Sequence, residues 1–218
     1  MAASLDAAFT LTRQSPFSYT CRQCNRCCYE KRIPLNPYEI IRLAQVVGVS
    51  TGVFLERFTE EGTALAVRER PGQPCVFLGE KGCTVHAGRP AACRLYPLGR
   101  MVRSTGEERF CEVQPHPESE GDYGLSGTVG EYLEAQEVES FFRAAELYYQ
   151  VFQRVQSLLA TAHADDEPGE VAWDVLTLLD ADQCIADRGW VVPNDPEEKM
   201  LLHIASLNRW LDTLVEVK

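Results

Sequence analysis

The run Cys21-Arg22-Gln23-Cys24-Asn25-Arg26-Cys27-Cys28 sets four thiols at C-x2-C-x2-C-C spacing, and Cys75, Cys83, Cys93 and Cys111 follow it. All-thiolate ligation suits both zinc and iron–sulfur clusters. A two-residue gap lets a loop wrap so that both sulfurs face one centre, as in zinc knuckles and ferredoxin loops. Three sulfurs at successive two-residue gaps correspond to the first three ligands of a bacterial 4Fe-4S loop. The usual fourth cysteine followed by proline is missing, so a fourth ligand must come from elsewhere. In an extended segment neighbouring side chains point to opposite sides, and one of Cys27 and Cys28 is expected to turn away from any centre the other binds. A single ion or cubane takes four thiolates, so eight cysteines suggest two neighbouring centres or one centre backed by reserve sulfurs. Cys21, Cys24, Cys27, Cys28, Cys75, Cys83, Cys93 and Cys111 are the expected metal ligands. The triple spacing tilts the expected cofactor toward a 4Fe-4S cluster, with zinc the alternative.

Arg89, Arg94 and Tyr96 flank Cys93. Arginine beside a thiolate lowers its pKa and donates hydrogen bonds to sulfur, and a tyrosine hydroxyl does the latter, so these three are the expected cofactor-binding residues around the thiols; the competing reading is that they meet solvent. His86 follows Cys83 by three positions, but eight cysteines already suffice for two centres. His116 stands between prolines, His163 and His203 belong to the later helical part, and none carries a functional assignment. Cys184 lies alone on the apolar side of a helical segment and reads as packing.

The chemistry depends on compartment. Residues 1–12 lack the basic start and apolar run of a secretory signal, and nowhere do about 18 apolar residues run together as a spanning helix needs. A cytoplasmic location is therefore expected, where thiols stay reduced and dense cysteines read as metal ligands rather than disulfides. The net charge of −11 is unevenly placed: residues 1–120 are close to balanced, and residues 121–218 carry the excess of acid. That acidity argues against a nucleic-acid or anionic-membrane surface and leaves solubility or docking of a protein partner as its role. With 45% hydrophobic and 24% charged residues, the chain has the composition of a folded globular protein.

The elements that must hold these residues follow from local signals. Asn36, Pro37 and Glu39 form the start of a helix with a capping box, Ile40, Ile41, Leu43, Ala44 and Val47 give it an apolar face, and Gly48 ends it. Ser50 caps a second short helix. Residues 63–70 and 75–78 read as short strands around the turn at Pro71-Gly72-Gln73-Pro74, Gly79 to Gly82 makes another turn, and Pro90 opens a brief helix through Arg94. Residues 114–130, without apolar period, read as a connector. Residues 129–162 repeat large apolar residues at helical steps, a further helix is expected over 173–186, and Asp195-Pro196 opens a last one ending near Val217. The expected fold class is α+β: a loop-rich cysteine domain over residues 1–120, then an acidic, mainly helical region over 121–218.

Four ordered blocks carry a family resemblance: Cys21-x2-Cys24-x2-Cys27-Cys28, Pro74-Cys75-Val76-Phe77-Leu78, Gly82-Cys83-Thr84-Val85-His86, and Arg89-Pro90-x2-Cys93-Arg94-x-Tyr96-Pro97. Over about residues 18–112 they resemble the C-x2-C-x2-C-C family, also called YkgJ-like cysteine-cluster proteins, and a region of flagellin lysine N-methylase. The resemblance implies chelation of zinc or iron. Where the family commonly has a glycine before the CC pair, Asn25 and Arg26 stand here, and asparagine tolerates the positive backbone angle of a tight loop. Three functions are compatible with it. The first is a metal-binding module serving structure, electron transfer or metal handling. The second is a protein lysine N-methyltransferase-like enzyme, against which stands the lack of a Gly-rich strand-to-helix loop and of the C-x3-C-x2-C loop of radical enzymes. The third is an interaction protein stapled by zinc.

Overall fold

The computed structural model describes residues 8–60, 62–67, 72–103, 105–162 and 175–216. It is an α+β chain with small separate sheets and a helical C-terminal half. By packing it divides into two compact units, one of Met1–Ile33 with Val67–Ser140 and one of Pro34–Ala66 with Phe141–Lys218. Each unit is discontinuous in sequence, and the eight clustered cysteines all fall in the first.

In the first unit the strand Pro16–Thr20 pairs antiparallel with Asp122–Thr128, setting Tyr19 opposite Tyr123 and Thr20 opposite Asp122. The strands Leu98–Val102 and Glu108–Glu112 pair antiparallel, and Leu11 bridges to Phe110. Phe17, Leu98, Phe110, Val129 and Leu133 are buried between these pairs and the short helix Val129–Ala135. Burial of side chains such as Phe17 and Phe110 contributes about 1.5–3 kcal/mol each. Arg13 binds Glu108 and Glu139 at 2.6 Å each, and Arg100 meets the other side of Glu108 at 2.6 Å. Burial would raise the Glu108 carboxyl, but the hydrogen bonds from Arg13 and Arg100 outweigh it and hold the group below its ordinary range.

In the second unit the helix Pro37–Val47 starts with the expected capping box: Glu39 N–H donates to Asn36 Oδ1 at 3.1 Å, and Asn36 N–H to Glu39 Oε2 at 2.8 Å. Gly48 ends it in the left-handed conformation at φ 80. Ser50 caps Thr51–Phe58. The two helices pack on each other, Pro37–Val47 also against Pro196–Glu216 and Thr51–Phe58 against Ala181–Ala186, around Tyr38, Ile40, Leu43, Phe54, Ile185 and Leu211. The buried His203 accepts from the Tyr148 hydroxyl at Nδ1, 2.9 Å away, and lies 3.1 Å through Nε2 from the Leu178 carbonyl. Among the described residues no single helix is long and apolar enough to cross a membrane.

Several local readings change. The supposed connector over 114–130 contains the strand Asp122–Thr128, whose residues are mostly exposed; a strand held by backbone pairing to a partner a hundred residues away shows no apolar alternation. The long helix over 129–162 is two, Val129–Ala135 and Glu139–Ala162. Between them Glu137 takes a positive φ of 53, and the Gln136 carbonyl accepts from Arg94 at 2.9 Å. The strands expected over 63–70 and 75–78 shrink to Ala64–Leu65 and Leu78–Gly79, with an isolated bridge from Val67 to Cys75. The helix expected over 173–186 is interrupted at Asp180, which caps Ala181–Ala186. Residues 68–70, Pro71, His163 and Trp173 lie outside the described residues.

Candidate metal centre

The strand Pro16–Thr20 ends directly at Cys21. From there the chain turns through two left-handed positions, Gln23 at φ 55 and Asn25 at φ 62, into a short 3-10 turn over Arg26–Cys28. Asparagine is among the few non-glycine residues that tolerate this region, and the Asn25 carbonyl accepts the Cys28 amide at 3.0 Å. The loop is then tied to the next cysteine block. Tyr29 bridges to Pro74, Glu30 N–H donates to Gln73 O at 3.4 Å, and Cys75 N–H donates to Cys28 O at 2.8 Å. Leu78–Gly79 and Gly82–Cys83 form a hairpin with Leu78 opposite Cys83. Gly82, at φ 107, lies against Asn25: a Cβ there would sit 3.3 Å from Asn25 Oδ1. The helix Ala91–Leu95 then presents Cys93 on its exposed side and buries Arg94 and Leu95.

No cysteine is in a disulfide. Cys21, Cys27 and Cys93 are exposed, Cys24, Cys28, Cys75, Cys83 and Cys111 half-buried, and Cys184 buried, as expected of a packing residue. The adjacent pair does not splay: the Cys27 and Cys28 thiols hydrogen-bond each other, because the segment is a 3-10 turn rather than extended chain. The hydrogen bond from Cys28 holds the Cys27 thiol down to about 7, helped by its own amide and by Lys31, against the effect of burial. Cys28 is pushed up by that same bond, then by burial and by the charges of Cys27, Cys93 and Cys75. Burial also pushes Cys83 up, opposed by the Arg89 charge, and Cys83 senses Cys27. Cys27, Cys28, Cys75, Cys83 and Cys93 therefore share one electrostatic neighbourhood.

Cys21 and Cys24 lie within electrostatic reach of Tyr19. Cys111, on the strand opposite Gly99, has its sulfur engaged by the Gly99 amide. Among the described residues no three Cys, His, Asp or Glu side chains converge where one ion could sit, so Cys21, Cys24 and Cys27 are not gathered on a common point. Were Cys27 and Cys28 both to ligate metal, the hydrogen bond between their thiols would have to give way. The chemistry of the donor set fits zinc or iron: reduced thiols, two of them sharing one proton-donating bond, with Lys31 and Arg89 offsetting negative charge.

The residues flanking Cys93 separate in role. Arg94 is buried, and its guanidinium donates to the carbonyls of Arg89 at 3.0 Å, Gln136 at 2.9 Å and Ala87 at 2.7 Å, with Glu137 at 3.7 Å. Arg89 donates to Nδ1 and the carbonyl of His86, at 3.0 and 3.1 Å, and to Gln136 Oε1 at 2.9 Å. Burial and then the charges of Arg89 and Arg94 hold His86 below its ordinary value, so it stays neutral and joined to Arg89. Tyr96 packs edge-on to Tyr19, ring centroids 6.1 Å apart, and its buried hydroxyl has no hydrogen-bond partner among the described residues.

Sequence reasoning missed the tyrosines around Cys21. The Tyr132 hydroxyl donates to the Tyr96 carbonyl at 2.6 Å, and Tyr132 lies within electrostatic reach of Cys21. Tyr123 packs on Tyr19 at 5.0 Å. A Cβ at Gly121 would fall 2.0 Å from the Tyr19 hydroxyl, so only glycine fits there. Burial pushes Tyr123 up to about 12 and raises Tyr19 and Tyr132 as well, keeping all three as neutral donors. The one sequence signal was Tyr19, two residues before Cys21. On the other side of Cys24 an open groove of about 590 Å³ is lined by Asn25, Arg26, Tyr29, Leu78 and Glu80.

Residues 20–114 match the model of the CxxCxxCC family, described as a "Putative zinc- or iron-chelating domain". The matched stretch contains all eight clustered cysteines and stops short of Cys184. No curated protein and no solved structure matches the chain.

Proposed function

We propose that the chain, whose residues 20–114 match the CxxCxxCC family, is a metal-binding protein whose first unit holds metal in four-thiolate centres that draw on Cys27, Cys28, Cys75, Cys83 and Cys93. The observation that carries this is that Cys28 meets Cys27 by a hydrogen bond and feels the charges of Cys75 and Cys93, while Cys83 feels that of Cys27, so that thiols from four separate sequence blocks are linked. Solvent-facing thiols that merely filled gaps in a core would have no reason to meet. The main-chain bond between Cys28 and Cys75 holds two of the blocks together independently of any side chain. Cys21 and Cys24 join when the loop closes.

A 4Fe-4S cluster is the cofactor favoured by the spacing, since Cys21, Cys24 and Cys27 open as a ferredoxin-type loop does. Such a cluster supplies one-electron transfer; zinc in the same thiolates supplies a structural crosslink. Arg89 acts here by its charge on Cys83, and Arg94 acts by fixing the backbone that carries Cys93.

Anaerobic purification of the full chain, followed by analysis for iron, acid-labile sulfide and zinc, tests this. A brown protein holding iron and sulfide in near-equal amounts supports the cluster. Stoichiometric zinc keeps the metal site and removes the cluster, and a chain with none of the three removes both.

A further inference from the structure

A helix on the surface of a folded unit buries one apolar stripe and turns polar residues outward. Glu139–Ala162 carries a second stripe. The first, Phe141, Ala144, Tyr148 and Val151, is buried in the second unit, where the Tyr148 hydroxyl reaches His203. Ala145, Tyr149, Phe152 and Gln156 lie one residue further along and keep the same alternation of three- and four-residue steps, the spacing of a helix–helix seam. Tyr149 is 57% exposed and Phe152 52%, against 8% for each of Tyr148 and Val151. Their rings adjoin on one face, centroids 6.4 Å apart. A single exposed ring needs no explanation, whereas adjoining ones form a patch that marks an interaction surface.

Charge and symmetry name the occupant. Residues 121–218 carry the chain's excess of acid, yet residues 147–153 include no charged side chain. A basic partner would find its complement on the acidic faces instead, while a second copy of this chain meets no like charge along this run. The stripe is also its own complement. With two copies antiparallel about a twofold axis between Tyr149 and Phe152, Tyr149 stands opposite Phe152 of the partner subunit, and the small Ala145 opposite the long Gln156 of the partner subunit. On the rim Glu146 stands opposite Gln153 of the partner subunit, a carboxylate facing an amide donor. We propose that this face of Glu139–Ala162 is a homodimer seam, two copies packing ridges into grooves through Ala145, Tyr149, Phe152 and Gln156. Four positions per copy bury less than the roughly 1,200 Å² of a standard stable interface, so the association is reversible. It is independent of the metal reading.

Sedimentation equilibrium of the full chain in reductant, over a range of concentrations, tests the seam. A reversible monomer–dimer equilibrium is expected, and a chain that stays monomeric to its solubility limit overturns the proposal. Phe152→Lys should raise the dissociation constant at least about tenfold, as loss of a central aromatic contact does, with helix content by circular dichroism unchanged. A dimer unaffected by that change is formed through another face and overturns the proposal as well. Should Phe152→Lys not fold, Gln153, exposed on the rim, carries the test. Gln153→Lys sets a positive charge against Glu146 of the partner subunit and should tighten the dimer, and Gln153→Glu sets a like charge there and should loosen it. The same two changes at Gln150, exposed and off the seam, should not reproduce that order. Equal dissociation constants for the two Gln153 variants, or the same order at Gln150, overturn the proposal.

Discussion

The amide of Cys75 donates a hydrogen bond to the carbonyl of Cys28 at 2.8 Å. Two cysteines far apart in sequence are thus joined through their main chains rather than through their sulfurs. A main-chain bond survives replacement of either side chain, which allows ligand loss to be separated from loss of fold.

Cys28→Ser and Cys75→Ser should keep the fold and weaken metal binding at least about tenfold, since loss of a ligand costs no less than loss of the groups that orient one. Cys184→Ala, in the other unit, should leave metal content unchanged. Competition against a chelator of known affinity measures both. Unaltered affinity in Cys28→Ser and Cys75→Ser together would exclude them from the site.

Asn25 sits at φ 62 immediately before the 3-10 turn. A β-branched residue there meets the left-handed penalty of about 1–2 kcal/mol, so Asn25→Val should loosen the loop and weaken metal binding about tenfold. Asn25→Gly should retain binding, because glycine reaches the same backbone conformation freely. Chelator competition on the two variants decides it, and equal affinity would show that the turn does not govern the site.

Arg94 ties three carbonyls from two segments, Ala87 and Arg89 in one and Gln136 in the other. Arg94→Met leaves them without that donor in a buried setting, where each lost partner costs about 1–3 kcal/mol. Chemical denaturation should show a loss of about 3 kcal/mol or more in the first unit, while metal bound per folded chain stays the same. Full stability of this variant would refute the clamp.

In the second unit His203 is fully buried, and burial holds it at about 4 against an ordinary 6.5, with the hydrogen bond to Leu178 and the charge of Asp182 acting the other way. The unfolded chain therefore binds more protons between these values. The stabilisation is fully present above 6.5, falls as pH drops through the interval, and stops falling below about 4. The loss is on the order of 3 kcal/mol. Denaturation curves for the second unit at several pH values across that interval measure it, and a flat profile would mean that His203 is as easily protonated folded as unfolded.

Much was legible from residues alone wherever the cause was local. Asn36, Glu39 and Gly48 bound a helix because capping and left-handed termination are settled within one turn. Asn25 supplied its positive φ for the same reason. The thiol spacing announced metal chemistry, and residues 20–114 match a family of that description.

Other features depended on partners far along the chain. Asp122–Thr128 is a strand because Pro16–Thr20 lies beside it, and Arg94 donates to the carbonyls of Ala87, Arg89 and Gln136 because the fold brings them around it. Spacing along the backbone specifies which thiols can share a loop. Only packing decides which loops meet, since the contacts that bring Cys75 to Cys28, or leave Cys111 against Gly99, are formed between segments whose separation in sequence carries no record of their distance in space.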